Sequence, residues 1–342
     1  MEQQTIEINR ARYKTPEVFV VSSGRSGTTL LSSILNASDQ IFFPYESDFV
    51  ARAYPFYYQK SSLTPADYQN IAQLFQVSSQ PKGWGMSENY LSKYLIEQAP
   101  RTLTEVMAVI CDAFHQQAGT GQLLWGIKAP VLIASLKRIR DVCPQAKIIH
   151  VVRDGRDVCL SYQQVHKHAP VKFGPKSVIE NALYWIDGLK RVEEFTATYS
   201  PQDIYELKYE DLMADPTAAL MQLCSYIGID YRPCMHEDFN AHKRNQKATP
   251  DNLGTSIHKN LKGKLDISNT QKYLSKMSVF DRMQYELVAS PYLKKYSYPL
   301  TYPVLSLRLF SPLRQGLYAL ARLFNDWRYA RRDHTTLKSA TS

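Results

Sequence analysis

Residues Val18 to Leu31 read VFVVSSGRSGTTLL, and the fold is decided there. Val18-Phe19-Val20-Val21 is an unbroken β-branched and aromatic run, the pattern of a strand covered on both faces and hence of a parallel sheet. Ser22 to Thr29 is small and polar, and Leu30, Leu31, Ile34 and Leu35 then recur at helical spacing. A strand that turns tightly into a helix leaves unpaired backbone N–H groups and the positive end of the helix dipole at the turn, a place suited to a phosphate or sulfate. Gly24 and Gly27 let backbone approach such an anion with no Cβ in the way. Ser26, Thr28 and Thr29 add hydroxyl donors, and Arg25 adds a fixed charge. An ATP- or GTP-binding loop requires G-x-x-x-x-G-K-[ST]. Here the glycines stand closer together and Thr28 takes the lysine's place, which argues against a kinase or NTPase.

Lys147 to Tyr162, KIIHVVRDGRDVCLSY, repeats the arrangement. A second apolar strand delivers Arg153 at its C-terminal end, where open α/β sheets bind ligands. Ser161 follows within the next helix, and helical side chains lean toward the helix N-terminus, so Ser161 tilts back toward whatever Arg153 holds. Asp154 and Asp157 read as helix caps and dipole partners.

Further strand patterns fall at Leu123 to Ile127 and Ile204 to Lys208, and helical ones at Leu132 to Val142 and Asn181 to Phe195; residues 54–120 read as mostly helical. Strands alternating with helices predict an α/β, P-loop-like, three-layer domain whose central parallel sheet is flanked by helices, plus a C-terminal helical extension. The expected organisation is a polar segment over 1–16, the main domain over 17–300 and a basic amphipathic extension over 301–342. In that extension Leu305, Leu309, Leu313, Leu320 and Phe324 mix with Arg308, Arg314, Arg322 and Arg328. Two readings stay open for it: a helix packed on the domain, or a helix docking on a membrane surface or partner.

The net charge of +9 over 342 residues calls for an anionic partner, and +5 of it lies between Arg308 and Ser342 (seven Arg and Lys against two Asp). The remainder is too mildly basic for a nucleic-acid surface, so no nucleic acid is expected. Five cysteines with no C-x-x-C pair read as reduced thiols, with neither a disulfide framework nor metal-ligand spacing. Met1 to Arg12 is polar and no run approaches the ~18 apolar residues of a membrane span. The expectation is a cytoplasmic protein, and the docking reading of its C-terminal helix would add peripheral contact at the inner membrane face.

Together, SGRSGTTLL and VVRDGRDVCLSY resemble the two nucleotide signatures of sulfotransferases that use 3′-phosphoadenosine 5′-phosphosulfate (PAPS), over roughly Val18 to Leu212. The resemblance implies that Arg25, Ser26, Gly27, Thr28 and Thr29 hold the 5′-phosphosulfate, that Arg153 and Ser161 hold the 3′-phosphate, and that Tyr209 lies near the adenine. A late basic, glycine-containing loop closes over the nucleotide in the family; Asn252 to Lys264 matches it loosely, with Ser256, Lys259 and Lys264 as candidates. The lysine–histidine signature of the cytosolic small-molecule branch is missing, since Arg25 replaces its lysine and Ala129-Pro130 follow Lys128. The pattern is closer to the tyrosylprotein, bacterial and carbohydrate branch. By that resemblance Glu46, 21 positions after Arg25, is the catalytic base, and Lys128 joins Arg25 in stabilising the leaving group. His166, His168 and Asp48 are alternative bases.

The implied reaction is in-line sulfuryl transfer from PAPS to a hydroxyl acceptor, leaving adenosine 3′,5′-bisphosphate, with no metal. The acceptor is a carbohydrate, lipid, small molecule or peptide tyrosine, and the basic tail favours a sugar or lipid-linked hydroxyl. A P-loop nucleotide kinase and a non-catalytic nucleotide-binding module docked on a membrane or partner are the alternatives.

Overall fold

The computed structural model describes residues 15–79, 84–118, 124–168, 173–237, 239, 265 and 267–341, with side chains as far as 327. Its strands are β1 (Val18–Val21), β2 (Ile41–Phe42), β3 (Leu124–Lys128), β4 (Lys147–Val152) and β5 (Ile204–Lys208). They form one sheet in the order β2-β3-β1-β4-β5, every neighbouring pair parallel. Among the described residues the α-helices of six residues or more are α1 (Thr28–Asn36), α2 (Phe49–Tyr57), α3 (Pro65–Ser78), α4 (Glu88–Gln98), α5 (Leu103–Ala118), α6 (Leu136–Val142), α7 (Gly155–His168), α8 (Val178–Thr198), α9 (Tyr209–Ala214), α10 (Pro216–Ile227), α11 (Val279–Lys295) and α12 (Ser311–Thr341).

The unbroken apolar character of β1 follows from its central place. Val18 and Val20 pack with α1 and α10 on one face, while Phe19 and Val21 join α2 to α6 on the other. Successive side chains of a strand point to opposite faces, so a doubly covered strand has no polar position to spare. A third cluster joins α7, α8 and α11 around Trp185 and Tyr285. Four of the five cysteines are buried and all are free thiols; burial pushes Cys143 up to about 12.

Two elements depart from the sequence pattern. β2 has only two residues, too few to leave a periodic signal. The helix expected from Leu132 begins as a 3₁₀ turn, Pro130–Ser135, and becomes α-helical only at Leu136, after Ser135 at φ −133° interrupts the helical backbone. The helical region after α2 is punctuated by caps. Thr64 accepts a hydrogen bond from the Asp67 N–H and the Asp67 carboxylate accepts one from the Thr64 N–H, with Pro65 at the first helical position. Thr64→Ala is expected to lower stability by about 1 kcal/mol, read as a shifted urea midpoint at unchanged slope.

Because all five strands run the same way, their C-terminal ends share one edge. That edge receives the loop after β1, the segment leading from β2 to Glu46, Lys128 at the end of β3, Arg153 after β4 and Tyr209 after β5.

Candidate active site

The loop after β1 winds through left-handed backbone at Gly24 (φ 78°), Arg25 (φ 54°) and Gly27 (φ 98°). Left-handed backbone costs a non-glycine residue roughly 1–2 kcal/mol, so Arg25 is a strained residue of the kind that gathers at functional sites. Gly24 donates its N–H to Ser22 Oγ at 2.9 Å, and Ser26 Oγ donates to the Gly24 carbonyl at 3.1 Å. Gly27 is the N-cap of α1, and no side chain caps that helix start. Both glycines are also crowded. A Cβ on Gly24 would fall 2.2 Å from Tyr162 Oη, and one on Gly27 would fall 2.6 Å from Tyr209 Cδ2.

The two motifs meet directly. Arg25 Nε donates to Ser161 Oγ at 3.0 Å. Arg153 Nη1 donates to the Arg25 carbonyl at 3.2 Å, and its guanidinium lies over the Tyr209 ring at 4.4 Å. Arg153 Nη2 donates to the Asn269 carbonyl at 2.6 Å, and the Trp185 indole N–H donates to the Arg153 carbonyl at 3.0 Å. Burial holds the Arg25 guanidinium below its ordinary pKa; Tyr162 and Glu46 push it back up and the neighbouring Arg153 charge pulls it further down.

On the other flank, buried Lys128 donates to Thr29 Oγ1 at 3.2 Å and forms an ion pair with Glu46. Several contacts fix where Glu46 stands. Asn36 clamps Phe43 at both ends, accepting from its N–H at 2.7 Å and donating to its carbonyl at 3.1 Å. The Phe43 ring lies against Gly126, where any Cβ would fall 2.1 Å from it. Trp84 Nε1 donates to the Tyr45 carbonyl at 3.1 Å, and Ser47 Oγ lies 2.7 Å from Ser79 Oγ. Residues 45 and 47 are thus both held, and the Glu46 side chain between them keeps 38% of its surface exposed.

The alternative bases have other partners or face solvent. His166 is bonded to the Pro175 carbonyl at 2.9 Å, His168 is exposed, and Asp48 accepts from Arg52 Nε at 2.9 Å. Asp154 does act at the start of α7, accepting from the Arg156 N–H at 2.9 Å, and also binds the Arg156 guanidinium. Arg156 is fully buried between Asp154 and Glu286. Asp157 turns away from the helix and accepts from the Tyr273 N–H at 2.9 Å, tying down the segment that offers the Asn269 carbonyl to Arg153. Ser256, Lys259 and Lys264 lie outside the described residues. Asn36, Trp185 and Asn269 carry no motif, and Tyr162 closes the second signature without a role assigned to it there. Their roles come from tertiary contacts, and only a glycine-rich loop needing cover hints at Tyr162.

A doubly phosphorylated nucleotide fits what is present. The loop offers an uncapped helix start, two cationic side chains meet beside it, and Arg153 Nε is buried with no hydrogen-bond partner among the described residues. The model of the sulfotransferase family matches residues 16–233, more than half of the chain. This chain belongs to the sulfotransferase family. Among curated proteins, the omega-hydroxy-beta-dihydromenaquinone-9 sulfotransferases of Mycobacterium bovis and Mycobacterium tuberculosis are each 27% identical over 252 residues. The match spans 64% of this chain and 64% of the relatives' own length. The sulfotransferase domain from the curacin biosynthetic pathway superposes with a TM-score of 0.54 at 17% identity, covering 84% of this sulfotransferase-family chain and 99% of that domain. The domain from the Synechococcus PCC 7002 olefin synthase gives 0.54 at 19% identity, covering 84% and 98%. These two likenesses establish the shared fold.

Proposed function

We propose that the chain is a PAPS-dependent sulfotransferase that sulfates a hydroxyl acceptor. The observation that carries this reading is the junction of the two motifs, Arg25 Nε to Ser161 Oγ at 3.0 Å and Arg153 Nη1 to the Arg25 carbonyl at 3.2 Å. Phosphate groups at the two ends of one adenosine require two anion-binding turns side by side, and family membership supports the same assignment. The backbone and hydroxyls of Ser26 to Thr29 hold the 5′ end together with Arg25. Arg153 and Ser161 hold the 3′-phosphate, and Tyr209 flanks the adenine. Lys259 remains a candidate for closing over the nucleotide.

The donor supplies the sulfuryl group and a phosphate leaving group. Glu46 accepts the proton of the acceptor hydroxyl as its oxygen bonds to sulfur and the sulfur–phosphate oxygen bond breaks. Lys128 and Arg25 stand where negative charge gathers on the departing oxygen, and a preorganised contact of that kind is worth about 3–4 kcal/mol. The ion pair orients Glu46 toward Lys128 before an acceptor arrives. A lipid-linked or sugar hydroxyl is the favoured acceptor; the mycobacterial relatives, named for an omega-hydroxy menaquinone, support the lipid-linked one.

Incubation with sulfur-radiolabelled PAPS and a panel of lipid, sugar and phenol hydroxyls tests the reading. Label is expected to move to an acceptor with release of adenosine 3′,5′-bisphosphate. Phosphoryl transfer from ATP with no affinity for the bisphosphate would make the protein a kinase, and bisphosphate binding without transfer to any acceptor would make it a non-catalytic module. Within the site, Ser161→Ala removes one acceptor from Arg25 and one donor to the nucleotide. Affinity for the bisphosphate, measured by calorimetry, is expected to fall about fivefold, the worth of one hydrogen bond at ~1 kcal/mol.

A further inference from the structure

Amphipathic helices of folded domains turn their apolar stripe inward. α12 leaves a second apolar stripe outward. Its inward side sets Leu317 and Tyr318 against the third core cluster and pairs its polar side chains. Arg314 donates to the carbonyls of Leu305 and Leu307 at 3.0 and 3.1 Å, and Tyr318 Oη donates to the Val288 carbonyl at 2.6 Å. Arg322 reaches Asp187 at 3.1 Å and Glu194 at 2.8 Å, and Asn325 donates to Asp187 at 3.2 Å. Asp187 and Glu194 belong to α8, so the helix is anchored through ion pairs and hydrogen bonds.

The outward side is apolar. Leu313, Leu320, Leu323, Phe324 and Trp327 are 52%, 67%, 70%, 55% and 52% exposed, and Leu309, just before the helix, is 80% exposed. At 3.6 residues per turn the five helical positions fall within an arc of about 100°. Gly316 lies on the same arc with open space where its Cβ would be. A continuous apolar strip of this kind marks an interaction surface. Among the described residues no helix is long and apolar enough to cross a membrane, so the strip suits a surface rather than a span.

Charge selects the occupant. Residues 308–342 carry +5. A second copy of the chain would set that charge against its equal, whereas an anionic bilayer attracts it. An apolar face of Leu, Phe and Trp opposite a face that carries arginine is also the composition of a helix lying in the headgroup region. α12 packs against α2 and α3 as well, the helices that follow Glu46 in the chain.

We propose that the outward face of α12, continued by Leu309, docks the protein on an anionic lipid surface. This goes beyond the sulfuryl-transfer reading, and either can fail alone, because the test needs neither donor nor acceptor. The full chain is floated with vesicles of phosphatidylcholine alone and of phosphatidylcholine with an equal amount of phosphatidylglycerol, at low and at high salt. Flotation with the anionic vesicles is expected, at least about tenfold weaker with the neutral ones and reduced by salt. The triple variant Leu320→Glu, Leu323→Glu, Phe324→Glu is expected to stay in the soluble fraction with its melting temperature and bisphosphate affinity unchanged, since those side chains are exposed. A second measurement needs no variant. Trp84, Trp125 and Trp185 are buried and Trp327 is exposed, so a blue shift of tryptophan emission on adding anionic vesicles reports Trp327 entering the lipid. Wild-type protein that remains soluble and unshifted at low salt overturns the proposal. So does a concentration-dependent dimer that the triple variant abolishes while vesicle binding is absent; the occupant would then be a second copy.

Discussion

Glu46→Gln is expected to slow sulfuryl transfer by more than about 100-fold while leaving nucleotide affinity within about twofold, the signature of a lost general base. The substitution keeps the shape of the side chain and an oxygen that can still accept from Lys128, so the buried ammonium is not stranded. What it removes is the carboxylate that takes the acceptor's proton. The surrounding clamp of Asn36 on Phe43, Trp84 on the Tyr45 carbonyl and Ser79 on Ser47 does not involve the Glu46 side chain. The backbone should therefore stay in place, and circular dichroism and melting temperature should match the wild type. Pre-steady-state turnover with labelled PAPS separates the chemical step from release. A variant turning over within about threefold of wild type would move the base to another residue, since a positioned general base contributes at least about 100-fold.

Arg153→Ala is expected to weaken binding of adenosine 3′,5′-bisphosphate by at least tenfold, a loss of about 1.4 kcal/mol or more, as for a charge-assisted contact. The guanidinium is held from three directions, by the Arg25 carbonyl, the Asn269 carbonyl and the Tyr209 ring, and its Nε has no partner among the described residues. A side chain so restrained loses little further entropy on gripping a phosphate. Arg153→Lys should not rescue. Lysine is a point charge that cannot reach both carbonyls in a planar fork while stacking on Tyr209. Calorimetry on alanine and lysine variants reads both expectations; intact affinity in the alanine variant would remove Arg153 from the 3′-phosphate, and intact affinity in the lysine variant would show that the charge alone suffices there.

The central strands were legible because of where they sit. β1 and β4 are covered on both faces, and strands so placed read as near-continuous apolar runs; the break within β4, His150, is buried and bonded to Glu206 at 3.1 Å. β2 was not, because two residues carry no period. Arg25, Lys128, Arg153 and Ser161 could be placed at one edge from the sequence, since parallel strands end together and each of these residues follows or closes a strand. The neighbours that hold them could not. Trp185 and Asn269 meet Arg153 across 32 and 116 residues of sequence, and nothing local marks either residue. Asp157 has the sequence position of a helix cap, yet its carboxylate is drawn to the Tyr273 N–H. Glu46 was reached by family spacing alone; the Asn36 clamp that positions it is a tertiary feature. The amphipathic character of the C-terminal extension was plain, but which face turns inward depends on Asp187 and Glu194 of α8, which no local pattern in α12 records.

The claim on which the account rests is that the two anion-binding turns grip a single nucleotide, and a ligand–residue cycle tests it most directly. Affinities of wild type and Arg153→Ala are measured by calorimetry for adenosine 3′,5′-bisphosphate and for adenosine 5′-monophosphate, which lacks the 3′-phosphate. The account predicts that wild type loses at least about tenfold on removal of the 3′-phosphate, and that Arg153→Ala loses markedly less, because the Arg153 contact has already been deleted and only that of Ser161 is left. Equal losses on removing the 3′-phosphate in both proteins would contradict it, and the Arg25–Ser161–Arg153 junction would then serve the fold alone.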